Sequence, residues 1–258
     1  MNIGCVFDSF NDSPSGTSIV FFFPKCNLRC PYCYNKTVVE SDTVEGGLTI
    51  EKAKSEIIKC RRKKPSLNSY YFSRDWMILS GGECTFYEKE INELIDTSKS
   101  IGQKVGIYSN GVTEKSQQVI KKLLKQNKID FLNIDYKVPV NTENSFKIYS
   151  ENFLKFVKFL IDYSKSNADF ILRFSTVAVK QFFEVENYFE KISKELKDCG
   201  FYKSDNLSWK ISAYHCDDYS TLIDQTFTKR NSYINKTDIS QYFRNIIENF
   251  EGNILIYE

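Results

Sequence analysis

Apolar positions along the chain fall into two alternating patterns. Short, β-branched and aromatic runs bounded by Gly, Asn, Asp and Ser predict strands at about Thr17–Phe23, Trp76–Ser80, Lys104–Ser109, Phe131–Tyr136, Phe170–Val177 and Leu207–Ala213. Longer segments with an apolar residue every three or four positions predict helices at about Thr49–Cys60, Phe86–Ile101, Thr113–Gln126, Glu151–Tyr163, Phe183–Cys199 and Asp238–Phe250. Two outlying strands are predicted at Ile3–Asp8 and Ile254–Tyr257. Regular alternation of this kind argues for a parallel sheet with crossover helices. Six strand and helix pairs suggest an α/β fold, an open, partial (β/α)6 TIM-like barrel. No repeat, low-complexity tract or linker breaks the pattern, and 258 residues suit a single domain. Within it, residues 1–16 form an N-terminal extension and about 217–258 a C-terminal part covering the barrel.

Charge narrows the partners. The net charge of +2, from 35 basic and 33 acidic residues, gives no field to attract nucleic acid or an anionic membrane. The basic cluster Arg61-Arg62-Lys63-Lys64 follows a helical pattern, where cations suit a helix C-terminus. The 15% aromatic content is assigned to core packing, because base stacking would need a basic groove beside it. No apolar run approaches the roughly 20 residues that span a bilayer. Met1–Phe10 lacks the pattern of a secretory signal. A disulfide framework is not expected in a chain this long and apolar, so the reading is a soluble cytoplasmic protein.

The chemistry concentrates first in Cys26-Asn27-Leu28-Arg29-Cys30-Pro31-Tyr32-Cys33, a CxxxCxxC loop directly after the first barrel strand. Three thiols on one loop can hold three irons of a four-iron cluster and leave the fourth open. Zinc is the competing metal, but a closed site needs a fourth Cys or His, usually from a second pair at short spacing, and none is found. The other cysteines, Cys5, Cys60, Cys84, Cys199 and Cys216, are scattered and read as small buried hydrophobes.

Parallel barrels place chemistry on the loops that follow their strands. Here each successive strand ends in a polar motif: Gly81-Gly82-Glu83, then Ser109-Asn110-Gly111, then Asp135 and Lys137 on one face, then Arg173, then Tyr214-His215 with the single histidine of the chain. Two glycines permit close backbone approach to a ligand, and Glu83 suits a cationic amine. Taken alone, Asn110-Gly111 is an ordinary turn, Asp135 and Lys137 a surface ion pair, and His215 a structural residue. Counted with the cysteine loop, six such motifs in succession point instead to a site.

The CxxxCxxC loop with Tyr32 before its last cysteine, followed by Gly81-Gly82-Glu83 after the next strand, resembles the radical SAM superfamily. The resemblance implies that Cys26, Cys30 and Cys33 bind one [4Fe-4S] cluster whose open iron takes the amino and carboxylate groups of S-adenosyl-L-methionine (SAM). It also implies that Gly81, Gly82 and Glu83 hold the methionyl amino group and that the backbone beside Tyr32 meets the adenine. Ser109 and Asn110 are carried over as further cofactor contacts. The cofactor supplies a 5'-deoxyadenosyl radical and the barrel aims it.

Within that superfamily, Phe7–Phe10 with Ser13-Pro14-Ser15-Gly16 is similar to the start of the activating enzymes of glycyl-radical enzymes, although those carry Gly-Pro-Gly there. Asp135-Tyr136-Lys137 is similar to their Asp-x-Lys, which helps hold the methionyl end of SAM. Tyr214-His215 resembles their late aromatic-His, whose His reaches the ribose, and Arg173 falls where they have an Arg. Cys84 replaces the more usual Pro after Gly-Gly-Glu. About 15 residues between Cys33 and Thr49 are too few for a ferredoxin-like insert, and Cys199 and Cys216 are too few for an auxiliary-cluster domain. The resemblance therefore implies a single-cluster activase of the anaerobic ribonucleotide reductase or pyruvate formate-lyase type. Its partners would be the glycyl-radical enzyme and flavodoxin or ferredoxin as electron donor. Radical SAM chemistry on a small molecule or short peptide is the alternative, and a non-catalytic zinc module a remote one.

Overall fold

The computed structural model describes residues 1–33, 35–62, 74–140, 148–179, 187–214, 227, 237, 239 and 243–257. The chain divides into two compact units, one of Met1–Asn27, Asn35–Ser109 and Thr113–Leu132, the other of Leu28–Tyr34, Asn110–Val112 and Asn133–Glu258.

In the first unit the strands β1 (Asn2–Ser9), β2 (Thr17–Phe23), β3 (Leu48–Thr49), β4 (Arg74–Gly81) and β5 (Lys104–Ser109) lie in the order β3-β1-β2-β4-β5. β1 runs antiparallel to both β2 and β3, whereas β2, β4 and β5 are parallel. Parallel strands covered on both faces read as continuous apolar runs, and Ile19, Val20, Phe21, Met77, Ile78 and Leu79 are all fully buried. The register pairs Phe23 with Gly81 and Leu79 with Ile107, so these strands end at one level and their following loops leave from the same edge. At the opposite end Arg74 holds Asp8 through two hydrogen bonds, at 2.8 and 3.3 Å.

Four helices of this unit lie among the described residues: α1 (Lys36–Glu40), α2 (Ile50–Arg62), α3 (Glu88–Ser100) and α4 (Glu114–Lys125). α3 buries Ile91, Leu94 and Ile95 on one side, the spacing of an amphipathic helix. The Thr113 hydroxyl caps α4 by accepting from the Ser116 amide, and Lys122 and Lys125 occupy its last turn, where cations suit the helix dipole. The predicted positions of α2 to α4 agree with these bounds to within two residues. α1 and β3 had no sequence signal, because five and two residues are too short to show a period.

The strand β6 (Phe131–Asp135) begins in the first unit and enters the second at Asn133. There the order is β6-β7-β8-β9, with β7 (Ile171–Ala178), β8 (Leu207–Ala213) and β9 (Asn253–Tyr257), the last three parallel. Among the described residues its longer helical segments are α5 (Glu151–Ser166), α6 (Tyr188–Asp198) and α7 (Arg244–Asn249). Strand alternation divides the sheet chemically. One face carries aromatics: Tyr136 packs edge-on against Phe153 at 5.1 Å and Phe174 at 6.4 Å, and Trp209 meets Phe250 at 5.4 Å and Phe189 at 6.2 Å. The other carries Asn133, Asp135, Arg173 and Ser175. These aromatics build core. The start of the helix predicted at Phe183 lies outside the described residues, and α6 begins at Tyr188.

A buried carboxylate ties this unit together. Glu195 on α6 accepts from the Tyr136 hydroxyl at 2.5 Å and from the Val140 amide at 3.0 Å. Burial and the neighbouring carboxylate both push the Tyr136 phenol far up, so it stays a donor. Glu195→Ala leaves two buried donors unsatisfied and should cost about 2–4 kcal/mol, measurable as a lower midpoint of urea unfolding. No helix among the described residues is long and apolar enough to cross a membrane.

Candidate functional site

Cys26 is placed by its neighbour. Lys25 adopts a left-handed backbone (φ 58°), and both of its peptide groups are held: its amide donates to Val38 of α1 at 2.9 Å and its carbonyl accepts from the Glu83 amide at 2.7 Å. Its ammonium also pairs with Asp42. The Gly82 amide reaches the Phe23 carbonyl at 2.8 Å. A Cβ on Gly82 would stand 1.8 Å from the Lys25 carbonyl oxygen, and one on Gly81, where φ is +108°, 2.4 Å from the Phe23 nitrogen. The close approach that the two glycines permit is thus to the chain's own backbone, immediately before the first cysteine.

Glu83 is fully buried, and its Oε1 accepts from the Thr85 hydroxyl at 2.6 Å, the Ser109 hydroxyl at 2.9 Å and the Thr85 amide at 3.3 Å. Thr85 in turn meets Ser116 at 2.8 Å, which contacts the cap Thr113 at 2.8 Å. The carboxylate therefore joins the ends of β4 and β5 to the start of α4. Thr85 and Ser116 were not foreseen, since isolated hydroxyls carry no periodic signal. Cys84 is buried with its Sγ 3.5 Å from the Tyr108 carbonyl oxygen, and burial pushes its thiol well up, which suits a packing role.

In the second unit Cys30 and Cys33 share a turn, the Cys33 amide donating to the Cys30 carbonyl at 2.9 Å. Cys30 and Tyr32 are buried, and the Tyr32 ring faces Phe227 at 6.0 Å, which lies edge-on to Tyr214 at 5.6 Å. Burial pushes the Cys30 thiol up, while the Lys137 ammonium pulls in the opposite direction. Burial likewise opposes the charge of Lys137, but Asp135 and Cys30 outweigh it and hold its pKa well above the ordinary lysine value.

Lys137 donates to Asp135 Oδ2 at 2.9 Å, and its side chain is only 16% exposed, so the pair is not the surface ion pair of the plainer reading. Asp135 Oδ1 accepts from the Ser175 hydroxyl at 2.9 Å and the Asn133 amide at 3.1 Å. That amide also donates to Ser175 at 2.8 Å, which fixes its orientation. Asn133 Oδ1, facing away, is buried without a hydrogen-bond partner among the described residues. An orphaned acceptor costs about 1–3 kcal/mol unless something fills it.

Asn110 makes a local turn, its Oδ1 accepting from the Val112 amide at 3.0 Å, with Gly111 at φ +60°. Arg173 is buried on β7 beside Ser208 of β8. Cys199 is buried with its thiol pushed up to about 11 by burial and by Glu195, Cys5 is half-buried on β1, and the Cys60 side chain is not described. His215, Cys216, Lys63 and Lys64 lie outside the described residues. Among the described residues no three His, Cys, Asp or Glu side chains converge as ligands of a single ion do. Thiolates that each bind a different iron of a cluster do not converge in that way.

The profile described as the radical SAM superfamily matches residues 20–182. A Methanocaldococcus jannaschii protein, provisionally named a glycyl-radical enzyme activating enzyme, is 30% identical over 203 residues, 77% of this chain and 76% of its own. Streptococcus suis SuiB bound to S-adenosylmethionine superposes with a TM-score of 0.60 at 12% identity, over 92% of this chain and 51% of its own. TYW1 with a lysine-pyruvate adduct bound gives 0.56 at 14% identity, over 90% and 73%. The chain thus spans about half the length of SuiB, and at these identities the two structures share the fold alone.

Proposed function

The chain belongs to the radical SAM superfamily, and from that premise we propose that it activates a glycyl-radical enzyme, an anaerobic ribonucleoside-triphosphate reductase, by removing hydrogen from a backbone glycine. Membership makes it a radical SAM oxidoreductase that uses SAM and an iron–sulfur cluster. The observation that carries the activase reading is the fixed Asp135–Lys137 pair beside Cys30 and Tyr32, at the Asp-x-Lys position of that group. The 30% identity to the archaeal relative supports the same reading.

The residues fit the two groups. Three thiols on one loop supply the donor set for one [4Fe-4S] cluster, with Cys26, Cys30 and Cys33 as ligands. The Lys137 ammonium suits a carboxylate. The orphaned acceptor of Asn133, on the same face, suits an N–H or O–H donor. When bound, the cluster supplies one electron that breaks the sulfonium carbon bond of SAM, releasing methionine and a 5'-deoxyadenosyl radical.

The chain's residues bind and orient. Gly81 and Gly82 let the segment before Cys26 lie directly on the β4 loop, and Glu83 braces that loop through Thr85 and Ser109. Lys137 would meet the methionyl carboxylate and the backbone beside Tyr32 the adenine; the ribose contact of His215 is carried over from the resemblance alone. Arg173, Ser109 and Asn110 are kept as further cofactor contacts on the resemblance alone. Flavodoxin or ferredoxin supplies the electron. Anaerobic incubation with SAM, reductant and the reductase should give a glycyl-radical EPR doublet; robust SAM cleavage with no doublet would overturn the partner assignment.

A further inference from the structure

Asp135 and Lys137 stand two residues apart where β6 leaves the sheet, a place where an ion pair is ordinarily loose. Here the backbone of this segment is held at every polar group from Asp135 C=O to Lys137 N–H. The Tyr149 hydroxyl donates to the Asp135 carbonyl and accepts from the Lys137 amide at 2.9 Å. Between them, the Tyr136 amide donates to the Ser175 carbonyl at 2.8 Å, and the Tyr136 carbonyl accepts from the Thr176 hydroxyl at 2.7 Å. Tyr149 is itself immobilised, stacked on Phe153 at 3.9 Å and edge-on to Tyr136 at 5.7 Å.

The side chains divide unequally. Both carboxylate oxygens of Asp135 already have protein donors, Oδ1 from Asn133 and Ser175 and Oδ2 from Lys137. A carboxylate so enclosed has little left to offer a bound molecule. Lys137 uses one of its three N–H donors on Asp135, and the other two have no partner among the described residues. All the fixed groups therefore act on the direction of one ammonium.

Resting on the SAM site proposed above, we propose that Lys137 alone of the pair contacts SAM, and that Asp135 is a positioning residue which, with Asn133, Ser175 and Tyr149, aims its ammonium. Asp135 thus acts on SAM only through Lys137. Asn133, Ser175 and Tyr149 act one step further back, through the side chain of Asp135 and the backbone around it.

A double-mutant cycle tests this on cluster-loaded protein under anaerobic conditions, with the SAM dissociation constant measured by calorimetric titration and the unfolding midpoint followed in parallel. Lys137→Ala and Asp135→Ala should each weaken SAM binding about 10- to 100-fold, the range of a hydrogen bond to a charged group. The double variant should bind no more weakly than Lys137→Ala, because Asp135 has nothing left to position. Tyr149→Phe keeps the stacked ring and guards against a folding defect in Asp135→Ala. It should weaken SAM about 2- to 10-fold alone and not at all on the Lys137→Ala background. Losses that multiply in the double variant would mean that Asp135 touches SAM by itself and would overturn the division of roles. Unchanged SAM affinity in Lys137→Ala would instead overturn the SAM site on which the inference rests.

Discussion

Replacing Cys30 with alanine should abolish assembly of the iron–sulfur cluster and, with it, all reductive cleavage of SAM. In the proposed site, with three thiolates on the loop and the fourth iron left for SAM, each cysteine would be the sole protein ligand of its iron. The fold should survive: Cys30 is a small buried side chain, and removing its sulfur costs about 1 kcal/mol, well within a domain's stability. Iron and labile sulfide content should fall to background while the unfolding midpoint of the apoprotein moves little, and Cys26→Ala and Cys33→Ala should behave alike. A Cys30→Ala protein that still releases 5'-deoxyadenosine would remove the loop from the chemistry.

Gly82→Ala should be nearly as damaging, by a different route. The added Cβ would stand 1.8 Å from the Lys25 carbonyl oxygen and 2.5 Å from its carbon, backbone atoms that cannot swing aside as a side-chain tip can. Relief requires the β4 loop to part from the segment before Cys26, breaking the bonds from Gly82 to Phe23 and from Glu83 to Lys25. The expected loss is about 3 kcal/mol or more, in the range reserved for backbone clashes and overpacked interiors, with poor retention of iron after reconstitution. Chemical unfolding and iron analysis on the same sample check both. Wild-type stability with full iron content would show that the glycines are not needed for this packing.

These two effects differ in how far the sequence announces them. The cysteine spacing is explicit, and strands such as Thr17–Phe23, Lys104–Ser109 and Leu207–Ala213 fall where the apolar runs predict, because buried parallel strands have little other way to read. The glycine pair was visible, but what it approaches was not, since contact between β4 and the chain after β2 is a matter of register. Tyr149 gave no signal at all. It is one aromatic among many, and only the tertiary structure brings its hydroxyl between Asp135 and Lys137. Asn133 and Ser175 are polar residues on strands, and pattern alone cannot distinguish a solvated face from one that mounts a carboxylate. The single histidine, His215, falls outside the described residues, and its role rests on resemblance.

Hydrogen transfer from glycine is the central step of the proposed activity. The most direct measurement uses the proposed partner, an anaerobic ribonucleoside-triphosphate reductase labelled with α-deuterated glycine, activated anaerobically with SAM and reductant, with 5'-deoxyadenosine isolated and weighed by mass spectrometry. We expect 5'-deoxyadenosine carrying one deuterium, formed in step with a glycyl-radical EPR signal on the reductase. Unlabelled 5'-deoxyadenosine with a silent reductase would contradict it and direct the radical to a different substrate.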